Sequence, residues 1–371
     1  MTEQQTTDLW RRVAQNIIYA TPFKVGLTDT IIELVKTIID KEQAKFLTVF
    51  TKTTLNLEEL KERTQLEEDY IKEILNALLK TGLLMALPSK HTGEMIYRLL
   101  PLFPGIFELS FMRGETGEKE KRLSRLFDKV FEEMTPLAQE KYERTVKSYK
   151  RLPAFDRVIP VEEEVEIPLE NVFPVEDVRR LVEKHDLIAL SRCYCRHEQD
   201  LLGNPCKLDA PRDTCMFFGR IAEFFITHEF AHEISKEKAL SILEVAEEKG
   251  LVHKTFHDRL NPNMEEIAIC SCCPCCCQIF GLWKTGAIPL HSLTSYLSHI
   301  DEDLCIGCGT CVEKCAPQAI ELMDNCAVVN KDRCIGCGVC AHHCSEEAIT
   351  LERTGPRKVF IPPPKLSMNE L

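Results

Sequence analysis

Cys305-Ile306-Gly307-Cys308-Gly309-Thr310-Cys311-Val312-Glu313-Lys314-Cys315 is answered later by Cys334-Ile335-Gly336-Cys337-Gly338-Val339-Cys340-Ala341-His342-His343-Cys344. Both stretches read Cys-x2-Cys-x2-Cys-x3-Cys. Each is followed by a short β-prone run, Ala319-Ile320-Glu321-Leu322 and Ala348-Ile349-Thr350-Leu351. This spacing closes three thiolates around one face of an iron–sulfur cube, while the fourth reaches across to a neighbouring cube. One copy alone is compatible with zinc. Two copies in register specify two [4Fe-4S] clusters, and such clusters move single electrons.

Residues 300–353 resemble the bacterial-type two-cluster ferredoxins. The resemblance implies a pseudo-twofold βαβ domain in which Cys305, Cys308, Cys311 and Cys344 hold one cluster. Cys334, Cys337, Cys340 and Cys315 would hold the other. One departure stands out, because the family places Pro directly after the fourth Cys, whereas Ala316-Pro317 follows Cys315 and Ser345 follows Cys344. Gly307, Gly309, Gly336 and Gly338 fall where the backbone must wrap closely and aim N–H groups at sulfur. Ile306 and Ile335 are expected to cover the clusters. Cys326 has no place in the scheme and reads as a small buried residue.

The chain has 371 residues, 44% of them hydrophobic and 28% charged, which is the balance of an ordinary globular protein of two or three domains. Its first residues are polar and lack the basic-then-apolar order of an export signal. No run approaches the length of a membrane-spanning helix. Nineteen cysteines in such a chain read as metal ligands in a reducing cytosol rather than as disulfides. They also point to an anaerobic host. The net charge of −12 weighs against nucleic acid as the main partner and suits docking onto basic patches of redox proteins.

Residues 29–100 carry the order of a winged helix. Thr28-Asp29-Thr30 can cap a helix with Ile31, Leu34, Val35 and Ile38 on one side. Asn56 and Glu59 have capping-box spacing. Leu66–Lys80 reads as a helix with Tyr70, Ile71, Ile74, Leu75, Leu78 and Leu79 on its stripe, ended by Thr81-Gly82. Leu83–Pro101 then alternates around Ser89-Lys90-His91-Thr92-Gly93, a wing-like hairpin. The third helix carries Glu67, Glu68, Asp69 and Glu73 against Lys72 and Lys80, so phosphates would be repelled. Protein docking or dimerisation is the better expectation. Beyond it, Leu123–Tyr149 reads as helical, while Arg157–Val161 and Val165–Pro168 read as short edge strands punctuated by proline.

A second cysteine field lies between residues 186 and 280. Leu187-Ile188-Ala189-Leu190 reads as a buried strand, followed by Ser191-Arg192-Cys193-Tyr194-Cys195-Arg196. If the strand continues, Cys193 and Cys195 point the same way, and with Cys206 and Cys215 they complete a four-thiolate set. Cys270, Cys272, Cys273, Cys275, Cys276 and Cys277 crowd into eight residues farther on. A third iron–sulfur cluster is the leading expectation for this field, with structural zinc and a metal-free thiol site as the alternatives. Arg192, Arg196 and Arg212 flank the first set and read either as counter-charges or as surface arginines. His197, His228, His232, His253 and His257 read as helix-face or loop residues. Met216–Phe230 reads as an apolar, phenylalanine-rich helix, and Ser235 caps another that runs to Lys249-Gly250.

Residues 157–353 as a whole resemble a family of cytosolic iron–sulfur proteins of anaerobes. The match rests on Cys193-Tyr194-Cys195-Arg196, Cys206, Cys215, the Cys270–Cys277 knot and the two C-terminal motifs. The expected class is α+β and multidomain. It comprises a winged-helix-like domain over 1–104, a helical connector over 105–165, a Cys-rich mixed middle domain over 166–290 and a two-cluster ferredoxin-like domain over 291–371. The function expected is that of an iron–sulfur oxidoreductase component, passing low-potential electrons through two [4Fe-4S] clusters to or from the middle-domain site. Two other readings stand beside it: a reductase acting on a small substrate at an open middle-domain site, and a redox-sensing winged-helix regulator. No Gly-x-Gly-x-x-Gly or P-loop seats a nucleotide, so a ferredoxin, flavoprotein or reductase partner would exchange the electrons. A homodimer would form through the N-terminal domain.

Overall fold

The computed structural model describes residues 3–161, 177–257 and 265–367. At the N-terminus, capping and apolar spacing act together. Thr28 accepts from the Ile31 amide at the start of helix Asp29–Ile38, which buries Ile31, Leu34, Val35 and Ile38. Asn56 and Glu59 form a reciprocal capping box on helix Leu57–Thr64, with both hydrogen bonds at 2.9 Å. Asn56→Ala is expected to cost about 1 kcal/mol, read as a lower denaturant midpoint at unchanged slope. Helix Glu68–Thr81 buries Ile71, Ile74, Leu75, Leu78 and Leu79 and ends at Gly82, whose φ of 77° is left-handed. Tyr70, expected on that stripe, lies at its rim and is 42% exposed. Strands β1 (Thr54–Asn56), β2 (Leu84–Pro88) and β3 (Met95–Leu99) form a sheet in the order β1-β3-β2, with β2 and β3 as an antiparallel hairpin.

The second sheet unites most of the remaining chain. Its strands are β4 (Asp156–Ile159), β5 (Ile188–Arg192), β6 (Asp213–Phe218), β7 (His232–Glu233), β8 (Val252–His257), β9 (Glu266–Cys272), β10 (Leu290–Ile300) and, past a small hairpin of β11 (Ile320–Met323) and β12 (Cys326–Val329), β13 (Ile349–Ile361). Their order is β13-β10-β4-β8-β9-β6-β5-β7. Among the described strands only β4 and β10 are parallel neighbours, so the class is α+β.

Two sequence expectations change here. The Arg157–Val161 stretch is central rather than an edge strand, because Pro160 falls just past the paired residues and its missing N–H breaks no ladder bond. Val165–Pro168 lies outside the described residues. Met216, Phe217 and Phe218 belong to β6 and not to the helix after it, which spans Gly219–Thr227. Their pairing with β5 and β9 outweighs the apolar run that suggested a continuous helix.

Strands β10 and β13 pair from Leu290 and Ile361 at one end to Ile300 and Ile349 at the other. Residues 301–348 hang from that far end. They carry helix Thr310–Lys314, the β11–β12 hairpin and helix Val339–His342. With the ends of β10 and β13 they repeat strand–helix–strand twice, which is the ferredoxin-like arrangement. Among the described residues no helix is long and apolar enough to cross a membrane.

Candidate metal centres

The two C-terminal motifs exchange their fourth cysteines. Cys305, Cys308 and Cys311 line one pocket together with Cys344 of the second motif. Cys337 has Cys340, Cys315 and Cys334 as its electrostatic neighbours, which places Cys315 of the first motif with the second. Backbone amides point at the sulfurs: Ala327 N donates to Cys305 Sγ at 3.5 Å, Ala319 N to Cys315 at 3.1 Å and Gly336 N to Cys334 at 3.4 Å. Such bonds favour the thiolate. Ser298, on β10 and outside both motifs, lies 3.2 Å from Cys340 Sγ and 3.7 Å from Cys334 Sγ. Nothing in the motif spacing announces it.

Cover differs between the two groups. Ile335 is 2% exposed, as expected, whereas Ile306 lines the pocket of the first group and is itself 58% exposed. Cys308 is exposed, whereas Cys334 and Cys340 are buried. Burial pushes the Cys340 thiol up to about 12. Cys326 is only half-buried and lies beside Cys305 rather than in a core of its own.

In the middle region the structure redraws the expected grouping. Cys206, Cys273, Cys275 and Cys276 bring all four Sγ atoms within 4.8 Å of one another, with 3.6 Å between Cys206 and Cys275 and 3.6 Å between Cys275 and Cys276. Cys193, Cys195 and Cys215 do not join Cys206. They meet Cys270, Cys272 and Cys277 instead. The reason is local. Strand β5 ends at Arg192 and Cys193 caps helix Tyr194–Leu201, so Cys193 and Cys195 straddle a corner. Cys206 lies beyond that helix, packed with Ala210, Ala246 and Leu251. The cysteine octapeptide is also divided. Cys270 and Cys272 alternate on β9 with Ser271, which faces the other way and meets His253 Nδ1 at 3.1 Å. The chain then turns through Cys273–Cys276, and Cys277 caps helix Gln278–Lys284.

Hydrogen bonds from Cys273 and Cys276 hold the Cys275 thiol down at about 3, while contact with Cys273 lifts Cys206 to about 12. Cys273 is held down as well and Cys276 is pushed up, so thiol and thiolate sulfurs hydrogen-bond within the group, a donor set that suits a soft cation once deprotonated.

Two stretches of the chain match models of a 4Fe-4S binding domain, residues 297–320 and residues 327–350. The C-terminal unit is a tandem pair of 4Fe-4S binding domains. Comparison with curated proteins and with solved structures gives no match to the chain.

Behind the 4Fe-4S domains, the Cys-rich region is held by aromatic rings and buried charges. Tyr194, between Cys193 and Cys195, packs edge-on to Phe107 at 5.8 Å, and Phe107 in turn meets Phe111, Phe127 and Phe131. Each such pair is worth about 0.5–1.5 kcal/mol beyond burial. The Tyr194 hydroxyl lies 3.8 Å from Cys270 Sγ. Of the three flanking arginines only Arg196 is buried. It donates to the Ser271 carbonyl at 3.1 Å and to Thr214 Oγ1. Arg212 clamps Asp200 and Arg192 reaches Asp213.

Lys254 on β8, unmarked by any motif, is 1% exposed and pairs with Asp156 Oδ2 at 2.8 Å. Burial works against its charge, but Asp156, with Cys272 and Cys277 close by, holds it above its ordinary value. Burial lifts Glu198 to about 8 against the pull of Gln199 and Gln278. Among the described residues the close four-ligand group contains no histidine. His197 meets the Glu115 carbonyl, and His253 lies between Ser271 and Glu247.

Proposed function

We propose that the protein is an electron carrier whose exposed cube meets an external redox protein and whose buried cube relays electrons to the Cys-rich region. In this reading Cys305, Cys308, Cys311 and Cys344 ligate the exposed cube, and Cys334, Cys337, Cys340 and Cys315 the buried one. The observation that carries it is the difference in cover between the two groups. Around the first, Leu304, Ile306, Leu322, Met323 and Val328 are between 41% and 58% exposed. Asp301, Glu302, Asp303, Glu321, Asp324 and Glu346 are exposed around them. An apolar centre with an acidic rim suits a ferredoxin, flavoprotein or reductase that presents a basic rim.

The second group faces inward. Arg333, next to Cys334, lies over the Trp283 ring at 5.3 Å, and Trp283 belongs to the helix that Cys277 caps. One short helix thus leads from the buried motif to the middle cysteines. A reducing, cytoplasmic setting would keep the cysteines available as metal ligands. The N-terminal region would be a winged helix used for docking or dimerisation. Its third helix is acidic, and Glu68 there engages both Lys72 and Lys61 of the preceding helix.

The test is iron, zinc and acid-labile sulfide per chain on protein purified without oxygen, with EPR after dithionite. About eight irons with matching sulfide are expected for the cubes, and metal beyond them for the middle region. Glu302→Lys with Glu321→Lys should slow reduction by a basic carrier and weaken its dependence on salt. A rate unmoved by that double change would sink the proposed port.

A further inference from the structure

We propose that the middle region holds two separate centres: a single tetrahedral metal ion on Cys206, Cys273, Cys275 and Cys276, and a polynuclear iron–sulfur cluster inside the ring of Cys193, Cys195, Cys215, Cys270, Cys272 and Cys277. This deepens the electron-carrier reading, since it specifies what lies beyond the buried cube.

Sulfur spacing separates the two. A tetrahedral ion with metal–sulfur bonds of about 2.3 Å sets its ligand sulfurs about 3.8 Å apart. The four-thiol group has that size, at 3.6 Å for two of its pairs and within 4.8 Å throughout. A cube sets an iron at each corner and spreads its thiolates farther. The eight motif cysteines of the 4Fe-4S domains have that wider spacing, because no three of their sulfurs lie within 4.8 Å of one another.

The six remaining thiols follow a third pattern. Contacts run from Cys195 through Cys193 and Cys215 to Cys270 on one side, and from Cys195 through Cys277 to Cys272 on the other. Cys270 and Cys272 are electrostatic neighbours, so the chain of contacts closes into a ring. Yet among the described residues no three of these sulfurs lie within 4.8 Å of one another. A lone ion would find no three-ligand seat there. A pair of ions sharing bridging thiolates would need still tighter triplets. A filler with several irons, joined by inorganic sulfide, fits six buried thiols that meet in pairs rather than in threes.

Charge points the same way. The six thiols are between 2% and 7% exposed and none is in a disulfide. Six neutral thiols could form a plain apolar core, but such a core would not recruit cations. Arg196 is fully buried with a carbonyl, a hydroxyl and thiols for company, and Lys254 faces Cys272 and Cys277. Asp156 answers the lysine. The arginine neighbours Cys193 and Cys215 of the ring and Cys273 of the four-thiol group, so metal-bound thiolate on either side would balance its buried charge.

The experiment uses the full chain purified without oxygen. Metal and acid-labile sulfide are counted for the unaltered protein, for Cys195→Ser with Cys277→Ser, and for Cys206→Ser with Cys275→Ser. EPR follows the two cubes in each. The ring variant should lose two or more irons together with sulfide and keep the single ion and both cubes. The four-thiol variant should lose one metal and no sulfide. Identical losses from the two variants would mean one shared centre and would overturn the proposal.

Because either variant can misfold, iron-edge anomalous scattering from crystals of the unaltered protein supplies a second test. Multi-atom density inside the ring is expected, and its absence overturns the assignment. A ring cluster that stays oxidised while the cubes are reduced would support this assignment and remove the electron path from the buried cube.

Discussion

Gly336→Ala is expected to empty the buried cube site, with about four of the cubes' irons and their sulfide lost. A Cβ at this position would lie 2.2 Å from the Tyr296 carbonyl oxygen, 2.6 Å from its carbon and 2.8 Å from Thr294 Oγ1. Those atoms belong to β10, where Thr294 and Tyr296 pair with Arg357 and Arg353 of β13, so stepping back would pull on that ladder. The φ of 62° adds strain for any residue with a side chain. The cost should exceed about 4 kcal/mol, in the range reserved for backbone displacement and lost cofactors. Gly307→Ala should do the same to the exposed cube, since its Cβ would meet the Asn325 carbonyl at 2.3 Å. Gly309 supplies the control. Its φ is 81°, but the nearest atom is Leu322 Cδ1 at 3.5 Å, so Gly309→Ala should cost only about 1–2 kcal/mol. Iron and sulfide counts with EPR decide between them. A Gly336→Ala protein with a full complement of iron would refute the close-approach argument.

Lys254→Met should destabilise the fold by about 3–5 kcal/mol, because it strands a buried carboxylate. Asp156 and Lys254 are each 1% exposed, 2.8 Å apart, and sit on adjacent strands in the middle of the large sheet. Asp156→Asn with Lys254→Met removes both charges and should recover most of that loss. Recovery should stop short of complete, since Lys254 also faces Cys272 and Cys277. Chemical denaturation of the two single variants and the double variant measures both quantities. A double variant as stable as the unaltered chain would show that the thiols do not draw on this cation.

What was legible in the sequence was what is local. The ferredoxin motifs read true because their spacing alone places three thiols around a cluster. Thr28, Asn56 and Ser235 read true as caps for the same reason. The middle cysteines were grouped by nearness along the chain, and there the reading failed. Whether Cys215 meets Cys206 or Cys270 depends on β6 lying beside β9, a pairing the chain order does not disclose. The octapeptide looked like one knot, yet its residues divide where strand gives way to turn. Lys254 and Asp156 are 98 positions apart, so neither marks the other. Ser298 is a plain serine in an apolar strand until β10 brings it beside Cys334 and Cys340.

The long β10–β13 pairing also has a consequence for how the protein is made. Residues 301–348 emerge from the ribosome after β10 and before β13, so β10 must wait with one edge open while both iron-binding motifs are synthesised. Closing so long a loop carries an entropic cost that grows with its length, and cubes that cross-link the two motifs shorten it. Iron supply and completion of the sheet are thereby tied together. Starved of iron, the newborn chain would linger with an unpaired strand edge, the kind of surface on which chains aggregate.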